Sequence, residues 1–369
     1  MNLRNRFIET LKGRKADRVP LMLDGFLFAN QAQIDADADP ARREIAHRVF
    51  DYCASFVVCR SYVNRYLVTP PQFIDEVSRE EQNGDVIVTS EIATPKGKLT
   101  AITTQNPLTR TIWTVKYPVA SLDDIEKIRS IPWELPPDLA PPDLSQLPTN
   151  FYEKSILRTG ISSPFVCVAG MMPYQYFLEL CATELNLIKE LTLVCKERIL
   201  NVLDVLLTPE TIDYVWMGGC EWLTPPMGSP RLYEQLVQEF ERELISRIHD
   251  AGALCHIHCH GNVRSTLKMV IERGGDFFEP VEPPPDGDIT FAEAKEVAAG
   301  RITLGGNIEA RILANESADV VEEATRKAFE GGRHHMVLKT SDGPISEITP
   351  VMLKNYHRLI DVWEELSCL

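Results

Sequence analysis

The chain of 369 residues is long enough for one large domain or two ordinary ones, and its 44% apolar and 25% charged residues are typical of a globular protein with a sizeable core. Its formal net charge of −15 disfavours nucleic acid and anionic membranes as partners, because both are negatively charged themselves. The nine cysteines include no Cys-x-x-Cys pair and the segment Met1–Lys15 is polar and basic, so we expect reduced thiols and a cytoplasmic location.

Short β-branched or apolar runs alternate with long amphipathic stretches along the chain, which is the pattern of repeated strand–helix units. Eight runs are predicted as strands: Val19–Leu23, Ser55–Cys59, Phe165–Ala169, Asp213–Met217, Ala253–His258, Asp276–Phe278, Ile302–Leu304 and His335–Lys339. The predicted helices are Pro173–Thr183, Leu185–Leu206, Pro230–Ala251, Val263–Arg273, Phe291–Ala298, Ser317–Glu330 and Pro350–Leu366.

Eight strands with helices between most of them predict an α/β fold, a single (β/α)8 TIM barrel over residues 1–369. An open, doubly wound parallel sheet is the alternative, although no Gly-x-Gly-x-x-Gly motif follows the first strand and its dinucleotide-binding version is therefore excluded. The longest apolar-looking stretch, Leu185–Leu207, is interrupted by Lys189, Glu190, Lys196, Glu197 and Arg198, so we expect no membrane span there.

Residues 84–119 depart from this alternation and are predicted to form a β-hairpin insertion between the second and third barrel strands. Its strands are Asp85–Thr94, Lys98–Gln105 and Thr109–Tyr117, with a Pro-Lys-Gly turn after the first. We expect this insertion to cover one end of the barrel as a lid or an interface. Residues 132–148 are rich in proline and are predicted to be a connector with little structure of its own.

Reactive groups of a (β/α)8 barrel lie where its strands end, at the carboxyl side. In this chain those positions carry an unusually polar set of side chains. The set comprises Asp24, Glu221, His256, His258, His260, Glu279, Glu282, Asn307 and Asp342.

The histidines of the fifth predicted strand are the sharpest signal. Side chains alternate along a strand, so His256, His258 and His260 share one face, and neighbours on that face lie about 6.6 Å apart between Cα atoms. Two imidazoles at this spacing can converge on one metal ion, for which Glu221 and Asp342 are the candidate oxygen ligands. The alternatives are binding of an anionic substrate, acid–base work, or hydrogen bonding to the loops.

Glu279 and Glu282 are candidates for orienting a substrate or acting as a general base, against the alternative of a solvated loop. Asn307 follows two glycines and either braces its loop or donates to a substrate. Cys220 and Cys259 are either thiolate ligands or small buried side chains.

The remaining candidates would contact the substrate. Asp24 and His256 are the polar ones, and an apolar pocket wall, or alternatively plain core, is predicted from Met171, Met172, Tyr174, Trp222 and Met227.

Several motifs together resemble the uroporphyrinogen decarboxylase superfamily. They are the opening segment Arg4–Pro20, Ser163-Pro164-Phe165 with the helix Tyr174–Leu180, Gly305-Gly306-Asn307-Ile308, and Thr349-Pro350 at the last helix. The resemblance covers nearly the whole chain and implies a (β/α)8 barrel independently of the strand count.

The superfamily has two chemical branches, and this chain is more similar to the second. The decarboxylases grip the acid groups of their porphyrinogen with arginines after the first strand, whereas residues 21–30 contain none. The second branch transfers methyl groups and holds zinc with a His-x-Cys pair at strand five and a cysteine near the last strand. Here His258 matches the histidine, His260 replaces the first cysteine, and the segment Ser341–Gly343 lacks the second.

A histidine and carboxylate set makes a harder, more Lewis-acidic ion than thiolates do, which suits an oxygen- or nitrogen-bound methyl group. The leading hypothesis is therefore a zinc-dependent methyltransferase or demethylase. It would move a methyl group from a small O- or N-methylated substrate to a corrinoid carried by a separate protein. The resemblance also allows a homodimer, because barrels of this superfamily often pair.

Two alternatives remain open. The first is a metal-free lyase that decarboxylates a carboxylic acid, with His258 or His260 as proton donor, Glu279 or Glu282 as base, and a carboxylate-binding arginine at the barrel mouth, for which Arg60 and Arg311 are candidates. The second is a non-catalytic ligand-binding barrel, suggested by the missing family cysteines.

Overall fold

The structure, a computed structural model, describes residues 1–61, 66–106, 111–209, 211–344 and 346–369. These residues form twelve strands: β1 (Leu21–Met22), β2 (Ser55–Ser61), β3 (Ile74–Gln82), β4 (Asp85–Thr94), β5 (Gly97–Gln105), β6 (Ile112–Lys116), β7 (Ser155–Ser162), β8 (Tyr214–Gly218), β9 (Leu254–His258), β10 (Phe277–Glu279), β11 (Thr303–Ile308) and β12 (Met336–Thr340).

Eight of these strands form one parallel sheet in the order β1-β12-β11-β10-β9-β8-β7-β2. From β2 onward, each strand of this sheet pairs with the next strand of the sheet along the chain, and β1 pairs with β12, as in a TIM-like fold; the connecting segments carry helices. All carboxyl ends therefore lie at the same edge of the curled sheet. The predicted α/β fold with eight parallel strands is confirmed.

Fifteen α-helices are formed by the described residues. They are α1 (Leu3–Leu11), α2 (Gln31–Asp35), α3 (Pro40–Val49), α4 (Leu122–Arg129), α5 (Phe151–Lys154), α6 (Pro164–Ala169), α7 (Tyr174–Thr183), α8 (Leu185–Leu206), α9 (Pro230–Tyr233), α10 (Glu239–Asp250), α11 (Leu267–Arg273), α12 (Phe291–Ala298), α13 (Ala310–Asn315), α14 (Ala318–Ala328) and α15 (Pro350–Leu366). Short 3-10 turns cover Pro71–Phe73, Leu144–Gln146 and Cys220–Leu223, and one π-helical turn, Glu234–Gln238, joins α9 to α10.

One strand prediction is wrong. The third strand of the parallel sheet is β7, whereas the apolar run Phe165–Ala169 forms α6. Pro164 explains the helix, because proline lacks the N–H that the first helical turn leaves unpaired and its fixed φ suits that position. The prediction missed β7 because Arg158 and Gly160 interrupt its apolar residues.

The core has an inner and an outer part. Inside the sheet, Phe7 of α1 contacts the rings of Phe56, Tyr214 and Phe277 at centroid distances of 5.2, 6.0 and 5.9 Å and so fills the amino-terminal end. Outside it, a larger cluster of buried residues joins the strands to the surrounding helices. Side chains alternate between the two parts along each strand.

The strands β3 to β6 pair in chain order as a separate antiparallel sheet, which falls between β2 and β7 in the sequence. The sheet begins earlier than predicted, because β3 precedes residue 84. Residues 109 and 110 of the third predicted hairpin strand lie outside the described residues. The connector 132–148 contains only the short turn Leu144–Gln146, and a lid role for the sheet remains a prediction.

None of the helices in the described part of the chain combines the length and the apolar character that crossing a membrane requires.

Candidate active site at the carboxyl ends of the parallel strands

Glu279, the last residue of β10, is the centre of a buried polar cluster. Its side chain is 2% exposed, and one carboxylate oxygen, Oε1, lies 2.5 Å from Nε2 of His256 and 2.8 Å from Nδ1 of His258. The register explains the contact, since β9 and β10 are parallel neighbours that pair His258 with Glu279. The predicted alternation therefore places His256 and His258 on one face of β9, next to a carboxylate.

Lys339 of β12 is the site residue that the sequence analysis missed. Its ammonium group is 2% exposed and lies 3.0 Å from Oε2 of Glu279 and 2.5 Å from Oδ2 of Asp24, which follows β1. Lys339 was counted as the end of the eighth predicted strand, but its charge was not used. A lysine in the otherwise apolar run Met336–Leu338 was the available signal, because lysine is almost never fully buried unless it is paired.

These contacts determine the charges of the cluster. Burial lowers the pKa of His256 to about 4, against the attraction of Glu279, so this imidazole is neutral at pH 7. Burial alone would raise the pKa of Glu279, but Lys339 and the two histidines hold it well below its usual value. Burial likewise disfavours the charged form of Lys339. The carboxylates of Glu279 and Asp24 outweigh the effect of burial and raise the pKa of Lys339.

The pKa of His258 is raised, whereas that of His256 is lowered, although burial and nearby carboxylates act on both. Burial disfavours its charged form, but the negative charges of Glu279 and then Glu221 outweigh burial and raise the pKa of His258. This imidazole is less enclosed than that of His256, with a side chain 19% exposed compared with 1%.

A second imidazole–carboxylate pair lies beside the first. Nδ1 of His260 is 3.1 Å from Oε1 of Glu282, and Oε2 of Glu282 accepts a 2.8 Å hydrogen bond from the backbone N–H of Gly261. The rings of His258 and His260 are 4.6 Å apart between centroids and nearly perpendicular, at 82°. Each ring thus has its Nδ1 on a carboxylate, and no other described residue hydrogen-bonds the Nε2 atoms.

This arrangement fits a metal ion. A histidine that binds a metal usually donates its other ring N–H to a carboxylate, which fixes the ring and leaves one nitrogen for the ion. Two imidazoles on one tetrahedral zinc ion would have ring centroids about 5 Å apart, given zinc–nitrogen distances of about 2.0–2.1 Å. His258 and His260 therefore present two nitrogen donors of suitable chemistry at the mouth of the sheet.

A closer cluster of donor atoms fits an ion less well. The donor atoms of His256, His258 and Glu279 lie within 4.8 Å of one another. However, both nitrogens approach the same carboxylate oxygen more closely than the roughly 3.3 Å that separates neighbouring ligand atoms around tetrahedral zinc. The ammonium group of Lys339 also neutralises this carboxylate. We therefore interpret this cluster as a hydrogen-bonded support for His258.

The predicted ligand Glu221 belongs to a second donor group with Cys220 and Cys259, whose donor atoms lie within 4.8 Å of one another. Its negative charge also acts on His258. Oε2 of Glu221 accepts a 3.0 Å hydrogen bond from Gly219 N–H, which leaves its second oxygen for an ion. Both thiols are buried, and burial together with Cys220 raises the pKa of Cys259 well above its usual value. The Cys259 thiol is therefore uncharged, as a small buried side chain is.

The other predicted oxygen ligand, Asp342, is exposed, and its Oδ1 accepts the N–H of Gly343 at 2.7 Å. Within the described ranges it forms no ion pair with a histidine. Asn307 lies beside Lys339 in the β11–β12 register and is 8% exposed. The roles predicted for both residues remain predictions.

The predicted apolar wall divides in two. Tyr174 and Trp222 pack edge to face with ring centroids 5.8 Å apart, and the Tyr174 hydroxyl donates to the Trp222 carbonyl. Met171 and Met172 are fully buried among core residues, whereas Met227 is 49% exposed. The sequence analysis missed Trp216 of β8, whose ring lies 5.3 Å from that of His258.

The arginine candidates differ from those predicted. Arg311 forms ion pairs with Asp286 at 2.5 Å and Glu309 at 3.2 Å, and the side chain of Arg60 lies outside the described residues. Arg158 of β7, which the sequence analysis did not select, lies with its guanidinium carbon 5.6 Å from the ring centroid of Phe56 in the inner core.

Comparisons with known proteins bear on this site. Residues 111–363 match the model of the family described as uroporphyrinogen decarboxylase (URO-D). A methyltransferase from Methanosarcina mazei superposes with a TM-score of 0.61 at 16% identity, over 99% of both chains, which shows a shared fold.

Two other structures are less similar. A B12-independent methionine synthase from Shewanella sp. W3-18-1 has a TM-score of 0.40 at 11% identity, over 79% of this chain and 75% of that one. A D-psicose 3-epimerase from Clostridium cellulolyticum H10 has a TM-score of 0.30 at 11% identity, over 57% and 78%. At these TM-scores neither structure shows a shared fold with this chain. A search of curated proteins finds no sequence match.

Proposed function

Because the chain belongs to the uroporphyrinogen decarboxylase family, we propose that it is a metal-dependent methyltransferase or demethylase of that family. It would move a methyl group from a small O- or N-methylated substrate to a separate corrinoid protein. The corrinoid partner rests on the resemblance of the sequence to the methyl-transferring branch. The metal rests on the site itself.

One observation carries the proposal. His258 and His260 stand side by side, each with Nδ1 on a carboxylate, and each keeps Nε2 for a ligand. A catalytic zinc ion commonly has three protein ligands and one open position. His258, His260 and Glu221 are our candidates for such a set, which forms once the two imidazole nitrogens and the second oxygen of Glu221 converge on the ion; neither of the donor groups whose atoms already lie within 4.8 Å of one another contains all three. Asp342 remains a further candidate oxygen ligand.

A zinc ion held there would polarise the oxygen or nitrogen that carries the methyl group and so make that atom a better leaving group. The remaining work falls to the protein. Glu279 and Glu282 hold the two imidazoles in one tautomer, with the proton on Nδ1. Lys339 keeps Glu279 ionised in a buried place, where the carboxylate would otherwise take up a proton.

The surroundings of the histidines suit a small substrate. Trp216 covers one side of His258, and its indole ring fills the place where a side chain at Gly218 would lie, since a Cβ there would be 2.4 Å from the ring. Such an aromatic side chain excludes water and offers a flat apolar surface. The histidine with the more exposed side chain, His260 at 36%, lies nearer to solvent, where a carrier protein could approach.

Metal analysis tests the proposal. Protein purified without chelator from zinc-supplemented medium should contain about one zinc ion per chain, as a three-ligand site requires. His258→Ala should lose most of it. His47→Ala is the matched control, because His47 is on the surface and pairs with Asp35 in an exposed contact. Zinc at the same trace level in all three proteins would contradict the proposal, and so would zinc retained by His258→Ala.

A metal-free decarboxylase is the second candidate, and Arg158 is the observation that favours it. For this function the sequence predicted a carboxylate-binding arginine at the barrel mouth, with Arg60 and Arg311 as candidates. Arg158 differs from that prediction because it lies inside the sheet, where we propose that it would bind the carboxylic acid. In this function the bond between the substrate carbon and its carboxylate breaks, CO2 leaves, and His258 donates a proton to that carbon. The raised pKa of His258 suits a general acid. Release of CO2 from a panel of acids by chelator-treated protein, abolished in His258→Gln, would support this function over methyl transfer.

A further inference from the structure

Arg158 is a cation inside the parallel sheet. It lies on β7, where the register places it beside Tyr214 of β8 on the face that points inward. Its guanidinium group is above the ring of Phe56, which itself packs against Tyr214 at a centroid distance of 5.6 Å. The side chain is partly exposed, so solvent or a ligand reaches it.

Arg158 has no ion-pair partner among the described residues, although carboxylates are present in the same interior. Lys339 takes both of them, Glu279 and Asp24. A partly buried arginine gains from an anion or an ordered water beside it, because burial removes part of its contact with solvent. The aromatic ring of Phe56 compensates only part of that loss.

Tyr214 provides a second, independent observation. Its hydroxyl group is completely buried and has no hydrogen-bond partner in the described part of the structure. A buried hydroxyl without a partner is unusual, because it has lost its hydrogen bonds to water and gained none in return. Two neighbouring strands thus present a cation and an unused hydroxyl donor to the same space.

We propose that Arg158 and Tyr214 form the subsite that binds a carboxylate group of the substrate. The inference deepens the proposed function, on which it rests, by stating that the small methylated compound is an anion. Arg158 stands four register positions before Ser162, which aligns through Gly218 with His258, so the two ends of the site are about 13 Å apart along the strands. The substrate would place its carboxylate deep and its methyl group near the histidines.

Calorimetric titration with acids and their neutral amides tests this subsite without any turnover. The probes are acetate, benzoate and 4-methoxybenzoate, each compared with its primary amide, on full-length protein before and after chelator treatment. We expect at least one acid to bind tenfold or more tightly than its amide. Arg158→Leu should abolish that preference, Arg158→Lys should keep part of it, and Tyr214→Phe should weaken it less.

Arg311→Leu is the matched control, because Arg311 is an arginine whose charge is already paired with Asp286 and Glu309. It should leave the acid preference unchanged. The preference should also survive removal of the metal, so a failure of the zinc experiment would not explain its loss. The subsite is wrong if no acid in the panel is preferred over its amide, or if folded Arg158→Leu and Arg158→Lys bind the acids as the unaltered protein does.

Discussion

At the scale of single residues, Lys339 is the key to the charge balance of the site. It is enclosed between Glu279 and Asp24 and is the cation that keeps the carboxylate facing His256 and His258 ionised. A buried ion pair contributes little net stability when complete, but removal of one partner leaves an uncompensated charge. The effect of losing Lys339 should therefore exceed that of losing any surface ion pair.

Lys339→Met should destabilise the protein by about 3–5 kcal/mol, the cost of breaking a buried pair. Urea unfolding at pH 7 measures it. The control Lys327→Met removes an exposed lysine that pairs with Glu323 along a helix, and should leave the urea midpoint nearly unchanged. Equal, small effects of the two substitutions would show that the Lys339 cluster is not a buried charge network.

The raised pKa of Glu309 makes the stability of the fold depend on pH. Burial and then the neighbouring Asp286 raise the pKa of this carboxyl from 4.5 to about 8. The folded protein therefore binds a proton that the unfolded chain releases between these pH values. The contribution of Glu309 to the free energy of unfolding is therefore fully present below about pH 4.5, and it is lost as the pH rises through about 8.

Glu309→Gln should therefore flatten the fall in unfolding free energy across that range, because glutamine does not titrate. Urea unfolding of both proteins at intervals from pH 5 to pH 8.5 is the measurement. A slope that is the same in the variant and the unaltered protein would assign the pH dependence to other groups.

At the scale of elements, the register of β8, β9 and β10 builds the site. Gly218 matters there because it has no side chain: a Cβ would lie 2.4 Å from the indole ring of Trp216, beside His258. Gly218→Ala should push Trp216 aside, shift the tryptophan emission and cost about 1–3 kcal/mol, as overpacking does. In a Trp216→Phe background the same change should cost less. An identical cost in both backgrounds would contradict this explanation.

Periodicity predicted most of the elements, and chemistry predicted the histidines. The alternation of β9 was sufficient to place His256 and His258 on one face, because a strand has a fixed period of two. The same reasoning failed at residues 155–169, where β7 contains a charge and a glycine, and the more strand-like run begins with Pro164 and forms a helix. Local composition is decisive only when no tertiary contact overrides it.

The contacts between distant strands were not predictable in this way. Lys339, Arg158 and Trp216 were missed because each lies within a strand whose neighbours in space are far away in the chain. Likewise, the sequence could not show that Glu279 would hydrogen-bond His258 and Glu282 would hydrogen-bond His260. These pairs depend on the stagger between β9 and β10.

At the scale of the whole molecule, the fold explains why the polar residues converge. Eight parallel strands direct all carboxyl ends to one edge, and the family match over residues 111–363 covers β7 to β12 with all the histidines of the site. Methyl transfer and decarboxylation are the two functions proposed for this site. Only a metal-bound state of His258 and His260 distinguishes methyl transfer from decarboxylation at this site.

The most direct measurement is zinc X-ray absorption spectroscopy of the purified protein. We expect a first coordination shell of nitrogen and oxygen at about 2.0–2.2 Å, with the multiple-scattering pattern of two imidazoles and no sulfur. His260→Ala should remove one imidazole from that pattern. A sulfur shell at about 2.3 Å would instead place the ion on Cys220 and Cys259 and would contradict the account.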